Sequence, residues 1–345
     1  MLFLSSGLFL GWSLGANDAA NVFGTAVGTR MIKFRTAALI CSTFVVIGAV
    51  VGGAGTTLTL GKLGAVNALG GAFMVALSAG MTVLVMTKLC LPVSTSQAIV
   101  GAILGWNFFS GSATDTKALT EIVLVWVACP LLAACCAILF HFLFERVFRR
   151  FPIHLLWEDI VLRWGLIVVG AFGSYSLGAN NIANVMGVFV PVAPFKDLNI
   201  LNLFVFSGTQ QLFLIGGLAI SLGVFTYSRR VMTTIGSSLM KLTPQMALIV
   251  VLSQAVVLYV FSSQELSAGL IRLGLPSVPL VPVSSSQAVI GSVLGLGLLK
   301  GGRGIRYEML GEIAAGWVTT PIIACIVTYF ALFFLQNVFS VRVMM

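Results

Sequence analysis

Residues 15–24 read GANDAANVFG, and residues 178–187 read GANNIANVMG, so one segment occurs twice, altered at Asp18/Asn181, Ala19/Ile182 and Phe23/Met186. A second segment behaves the same way. PVSTSQAIVGAILG at 92–105 returns as PVSSSQAVIGSVLG at 282–295, and Glu121, Trp126 and Pro130 return as Glu312, Trp317 and Pro321. The matches keep their order at offsets of 163, 190 and 191 residues, which marks a tandem duplication.

Composition says what is duplicated. Of 345 residues, 59% are hydrophobic and only 8% charged, far below the roughly one quarter that a soluble surface carries. The solvent is therefore lipid. Apolar stretches cover about 2–29, 36–54, 68–91, 93–110, 121–144, 159–193, 200–227, 245–262, 280–299 and 308–339. They lack the strict alternation of barrel strands, and a crossing needs roughly 20 residues. The expected fold is an all-α, polytopic transmembrane helix bundle of about ten crossings with broken or re-entrant half-helices. It divides into an N-terminal membrane repeat (1–144), a polar connecting loop (145–158) and a C-terminal membrane repeat (159–345). Duplicated transporter halves are often inverted about an axis in the membrane plane, and inversion is the expectation here.

The net charge of +9 lies in small groups at stretch ends, such as Arg30, Lys33 and Arg35, or Arg229 and Arg230, or Lys300, Arg303 and Arg306. That is the pattern of orientation signals, not of a nucleic-acid surface. The six cysteines make no CxxC pair and read as core packing. His141 and His154 have no partner motif, and no metal or nucleophile constellation is present, so no catalytic residue and no enzyme activity is expected. The N-terminus shows no cleavage signature, and the first stretch is expected to stay. Glu121 and Glu312 read as caps at helix starts.

The repeated segments hold the chemistry. Asn17, Asp18 and Asn21, with Asn180, Asn181 and Asn184 in the second copy, interrupt otherwise apolar stretches. Asn and Gly tolerate bent backbone, so each stretch is expected to break here and expose carbonyls that suit a small cation. Asp18 is the sharpest residue, because a carboxylate inside a span is costly unless paired or liganded. In the other motif, Pro followed by hydroxyls signals a helix start. Ser94, Thr95, Ser96 and Gln97, with Ser284, Ser285, Ser286 and Gln287, would then surround two helix N-termini able to hold an anion.

These paired motifs resemble the signature segments of the inorganic phosphate transporter (PiT, or PHO4) family, which also contains sulfate permeases. The resemblance covers essentially the whole chain. It implies an inverted-repeat, often dimeric transporter with a central anion site and flanking coupling-cation sites. The implied activity is import of inorganic phosphate by sodium or proton symport through alternating access, with no cofactor. The hydroxyl motifs would bind the anion and the Asn/Asp motifs the cation, with sodium at Asp18, Asn21 and Asn184. The resemblance further implies a multi-pass protein of the plasma or inner membrane whose partners are phosphate or sulfate, the bilayer and a second copy. A sulfate permease, or an anion channel using the same helix ends, is the alternative. There are three departures from the family pattern: Asn181 replaces a second Asp, Gln97 and Gln287 replace His, and residues 36–57 contain no acid.

Overall fold

A computed structural model describes residues 2–64, 66–89, 93–150, 154–200, 204–235, 240, 242–302 and 305–344. Among the described residues, thirteen α-helices follow one another: α1 (Ser5–Gly28), α2 (Phe34–Gly52), α3 (Ala54–Leu63), α4 (Leu69–Lys88), α5 (Thr95–Ser110), α6 (Thr116–Arg150), α7 (Leu155–Met186), α8 (Gly208–Thr226), α9 (Ser228–Ile235), α10 (Pro244–Ser262), α11 (Gln264–Arg272), α12 (Ser285–Leu299) and α13 (Tyr307–Asn337). The connection between α7 and α8 carries an antiparallel hairpin, β1 (Leu198–Ile200) and β2 (Phe204–Phe206), with Leu198 opposite Phe206.

Among the described residues, seven helices are long and apolar enough to cross a membrane: α2, α4, α6, α8, α10, α13 and the segment Trp157–Phe189, most of it α7. With seven such helices the chain is an integral, multi-pass membrane protein. α5 has 16 residues and α12 has 15, about 24 and 22 Å at helical rise, which is short of the roughly 30 Å hydrocarbon layer. They are the half-helices. α6 and α13 form an outer shell, where Leu124, Val127, Leu131, Ile322, Ile326 and Phe330 are exposed and face lipid.

The two halves are inverted. α1 and α7 correspond in sequence, yet they run antiparallel: Gly7 lies against Phe189 and Met186, and Gly170 lies against Phe23. Those are the same contact in two copies, since Phe23 corresponds to Met186. Each half also packs on its counterpart's neighbour. Gly15 of α1 meets the Ile220 carbonyl of α8, and Gly178 of α7 meets the Val45 carbonyl of α2. Gly101 of α5 meets the Pro321 carbonyl of α13, and Gly291 of α12 meets the Pro130 carbonyl of α6. At Gly15 an added methyl would stand 1.9 Å from that oxygen, so only glycine allows the helices this close. The small-residue seam is how membrane helices approach without a hydrophobic driving force between them.

Several expectations need correction. α1 runs unbroken through Asn17–Asn21 and α7 through Asn180–Asn184. Asn17, Asn21, Asn180 and Asn184 find partners outside their own helix and Asn181 within α7, so the backbone keeps its helical bonds; the irregular backbone sits instead before α5 and α12. The polar connection at 145–158 is largely helical, since α6 continues to Arg150 and α7 begins at Leu155. Glu121 does not cap α6: Asp115 does, its Oδ1 accepting from Lys117 N and Ala118 N at 2.9 and 3.0 Å. Glu312 lies more than a turn inside α13, whose first-turn acid is Glu308. Cys41 and Cys129 are buried, whereas Cys135 is exposed on the outer helix α6. Cys90, Pro92 and Arg303 lie outside the described residues.

Candidate anion and cation site

The two half-helices start beside each other at the centre of the molecule. Ser94 is the N-cap of α5 and Ser284 the N-cap of α12, each with extended backbone and each accepting from the backbone N–H three residues on, Gln97 N and Gln287 N, at 3.2 Å. Serine followed by small hydroxyl residues favours this start, because its oxygen satisfies one of the four N–H groups that a first turn leaves open.

A reciprocal pair of bonds joins these ends. Ser96 Oγ donates to the Val283 carbonyl at 3.0 Å, and Ser286 Oγ donates to the Val93 carbonyl at 3.2 Å. α1 and α7 supply the rest from their middles. Asn180 embraces Val283, its Nδ2 donating to the carbonyl at 2.8 Å and its Oδ1 accepting from the amide at 3.0 Å. Asn17 Nδ2 donates to the Val93 carbonyl at 3.3 Å and to Asp18 Oδ1 at 2.8 Å. Asp18 Oδ2 accepts from Ser285 Oγ at 2.9 Å, and that same hydroxyl accepts from Asn21 Nδ2 at 3.0 Å. In the other copy Asn184 Nδ2 reaches Ser96 Oγ and Asn181 Oδ1, both at 2.9 Å, while Asn181 Nδ2 turns back to the Leu177 carbonyl at 3.1 Å.

All fourteen residues singled out in the two motifs are buried, and this network or the two caps it joins hold most of them. Four keep an unsatisfied atom: Thr95 Oγ1, Gln97 Oε1, Asn184 Oδ1 and Gln287 Oε1 are buried with no hydrogen-bond partner. Asn184 belongs to the group around Ser96 and Asn181; Asp18, Asn21 and Ser285 form the other group.

Among the described residues, Asp18 is the one charged side chain that is buried. It receives only neutral donors, Asn17 and Ser285. A buried charge without a counter-charge is costly, and the oxygens gathered here, the Asp18 carboxylate, Ser285 Oγ and the Val93 carbonyl, linked by the Nδ2 groups of Asn17 and Asn21, have the chemistry of a site for a hard cation. The helix N-termini beside it carry partial positive charge and open N–H groups, which suit an anion.

Other contributors escaped sequence reasoning. The carbonyls of Val93 and Val283 are backbone groups of apolar residues and left no trace in residue type. Thr56 of α3 donates to the Asn180 carbonyl at 3.3 Å, and Cys129 Sγ donates to the Ser284 carbonyl at 3.7 Å. Gln254 on α10 is buried with both side-chain polar atoms unpartnered; an amide inside the apolar stretch 245–262 was the available signal. His141 stands apart, lining a surface cleft with Glu145, Arg149 and Gln245.

Comparison with known proteins agrees with this architecture. The chain matches the family described as "Phosphate transporter family" over residues 14–162, 156–328 and 277–344. It is 28% identical over 323 residues to a protein of Methanocaldococcus jannaschii named "Putative phosphate permease", covering 93% of each chain. It is also 28% identical over 352 residues to a sulfate permease of Bacillus subtilis, covering 98% of this chain and 89% of that one. A solved structure described as the sodium-dependent phosphate transporter superposes with a TM-score of 0.77 at 24% identity, covering 97% of this chain and 99% of the other. That likeness is one of fold.

Proposed function

Because the chain belongs to the phosphate transporter family, we propose that it imports inorganic phosphate by symport with a cation, sodium or proton, through alternating access. One observation carries this reading: two capped helix N-termini, one per inverted half, meet beside a single buried carboxylate. The helix ends supply N–H and hydroxyl donors for the anion. Asp18 and the neighbouring oxygens hold the cation, which neutralises the carboxylate and lowers the electrostatic cost of bringing a second negative group alongside. Ser285 lies in both sets, since it is on the first turn of α12 and bonded to Asp18. Cation and anion therefore share a residue, which is a physical basis for coupling.

Rocking of one half against the other would expose this centre to either side. The bonds Ser96 to Val283 and Ser286 to Val93 are the contacts such a motion must break or keep together, because they tie the two helix ends across the seam.

A sulfate permease is the second reading, suggested by the B. subtilis relative, which at 28% has the same identity to this chain as the M. jannaschii phosphate permease. Uptake of labelled phosphate into proteoliposomes, under separate sodium and proton gradients and with sulfate as competitor, decides between them. Phosphate uptake driven by one cation and indifferent to sulfate supports the proposal. Uptake unaffected by either gradient removes symport, and dominance of sulfate moves the protein to the second reading.

A further inference from the structure

Three helices here share one sequence spacing but not its outcome. α8, α5 and α12 each start with a serine cap and carry Gln three residues later, the spacing in which the Gln side chain reaches back to the cap's own N–H. In α8 the exchange is complete: Gln210 N donates to Ser207 Oγ at 3.1 Å, and Ser207 N donates to Gln210 Oε1 at 3.0 Å. In α5 and α12 only the first of these bonds is made. Gln97 Oε1 and Gln287 Oε1 are instead buried without a hydrogen-bond partner, on residues 2% and 3% exposed.

Leaving a buried acceptor unpartnered is costly, and here it occurs twice, at corresponding places on the two central helix ends. The chemistry of those places constrains what would relieve it. N–H and hydroxyl donors hold any tetrahedral oxyanion. An acceptor oxygen in the same first turn discriminates: it meets a lone pair of sulfate, which carries no hydrogen near neutral pH, but it can receive an O–H of phosphate, which does. Dihydrogen phosphate presents two such hydroxyls to the two acceptors.

We propose that Gln97 and Gln287 are the residues that select a protonated oxyanion, each Oε1 accepting a hydrogen bond from a hydroxyl of phosphate. This rests on the oxyanion-transport reading and names the substrate class for it. The same residues would otherwise complete their capping boxes, as Gln210 does, so leaving them free is a cost with a ligand-side purpose.

The test titrates the purified full chain with phosphate, arsenate, sulfate and selenate, read as ligand-induced shifts in thermal unfolding and as competition against labelled phosphate. Arsenate shares phosphate's protonation and selenate shares sulfate's, so the two pairs separate hydrogen content from the identity of the central atom. Wild type is expected to bind phosphate and arsenate at least about tenfold more tightly than sulfate and selenate, the effect of one or two hydrogen bonds to a charged ligand. Gln97→Met and Gln287→Met should each narrow the gap several-fold, and the double variant should nearly close it, mainly through weaker phosphate and arsenate binding. A wild type that holds selenate as tightly as arsenate overturns the inference, as does a folded double variant that keeps the tenfold gap. If the double variant does not fold, the single variants and the wild-type arsenate-to-selenate ratio still decide. Tight sulfate binding sinks this inference alone; absence of binding by all four anions sinks the transport reading with it.

Discussion

Ser285 Oγ donates to Asp18 Oδ2 at 2.9 Å, across the seam between the two halves of the chain. The corresponding pair in the other copy is Thr95 and Asn181, and there the hydroxyl Thr95 Oγ1 is buried without a partner. The site is therefore asymmetric in its bonding as well as in its charge. Asn181 spends its amide on Leu177 and Asn184, members of its own helix, whereas Asp18 reaches the opposing half-helix.

From that asymmetry, Asp18→Asn should reduce cation-driven uptake to background while the protein still folds, because removing a buried uncompensated charge does not leave another charge unpaired. Uptake under a cation gradient, with size-exclusion behaviour as the folding control, checks it. Wild-type uptake by the variant would take Asp18 out of the mechanism.

Asn181→Asp places a second carboxylate at the position that corresponds to Asp18, in the copy whose matching hydroxyl, Thr95 Oγ1, is unpartnered. The expected outcome is a steeper dependence of initial uptake rate on cation concentration, since a second buried charge demands a second neutralising partner. An unchanged order of the cation dependence would mean that Asn181 does not face the cation route.

Ser94→Ala combined with Ser284→Ala removes both caps. Each cap contributes about 1 kcal/mol to its helix, and the double variant is expected to raise the apparent KM for the anion roughly tenfold. Concentration dependence of uptake measures it; an unchanged KM would mean that the helix ends do not touch substrate.

Gly178→Ala drives a methyl to 2.1 Å from the Val45 carbonyl. Overpacking of this kind costs about 1–3 kcal/mol, visible as a lower thermal unfolding midpoint in detergent. Gly61→Ala is the control, because nothing lies within 4 Å of its added methyl; it should be neutral or slightly stabilising. Equal behaviour of the two variants would argue against the close α2–α7 contact.

Much of this protein could be read before any coordinates. Low charge and long apolar stretches require lipid, and internal repetition requires two alike halves, so the bundle, its repeats and the fourteen buried polar residues of the candidate site follow from residue type and spacing. The hydroxyl motifs foretold helix starts because capping is a local effect, settled within four residues. The Asn motifs misled for the complementary reason. Asn and Gly weaken a helix by local propensity, but at Asn180 the side chain is satisfied by Val283, 103 residues away, and nothing local reveals such a partner.

The class of the fold, the duplication and the identity of the buried polar residues are legible in the chain, because composition and periodicity are properties of the residues alone. Tertiary structure decided which copy's hydroxyl meets Asp18, that Val93 and Val283 carbonyls join the two half-helices, and that Gln97 and Gln287 stay uncapped while Gln210 does not. Those are choices among distant donors and acceptors, made by helix packing at glycine contacts such as Gly15 on Ile220. Identical capping sequences can therefore end in different hydrogen bonds, because the surroundings, not the spacing, decide which partner is within reach.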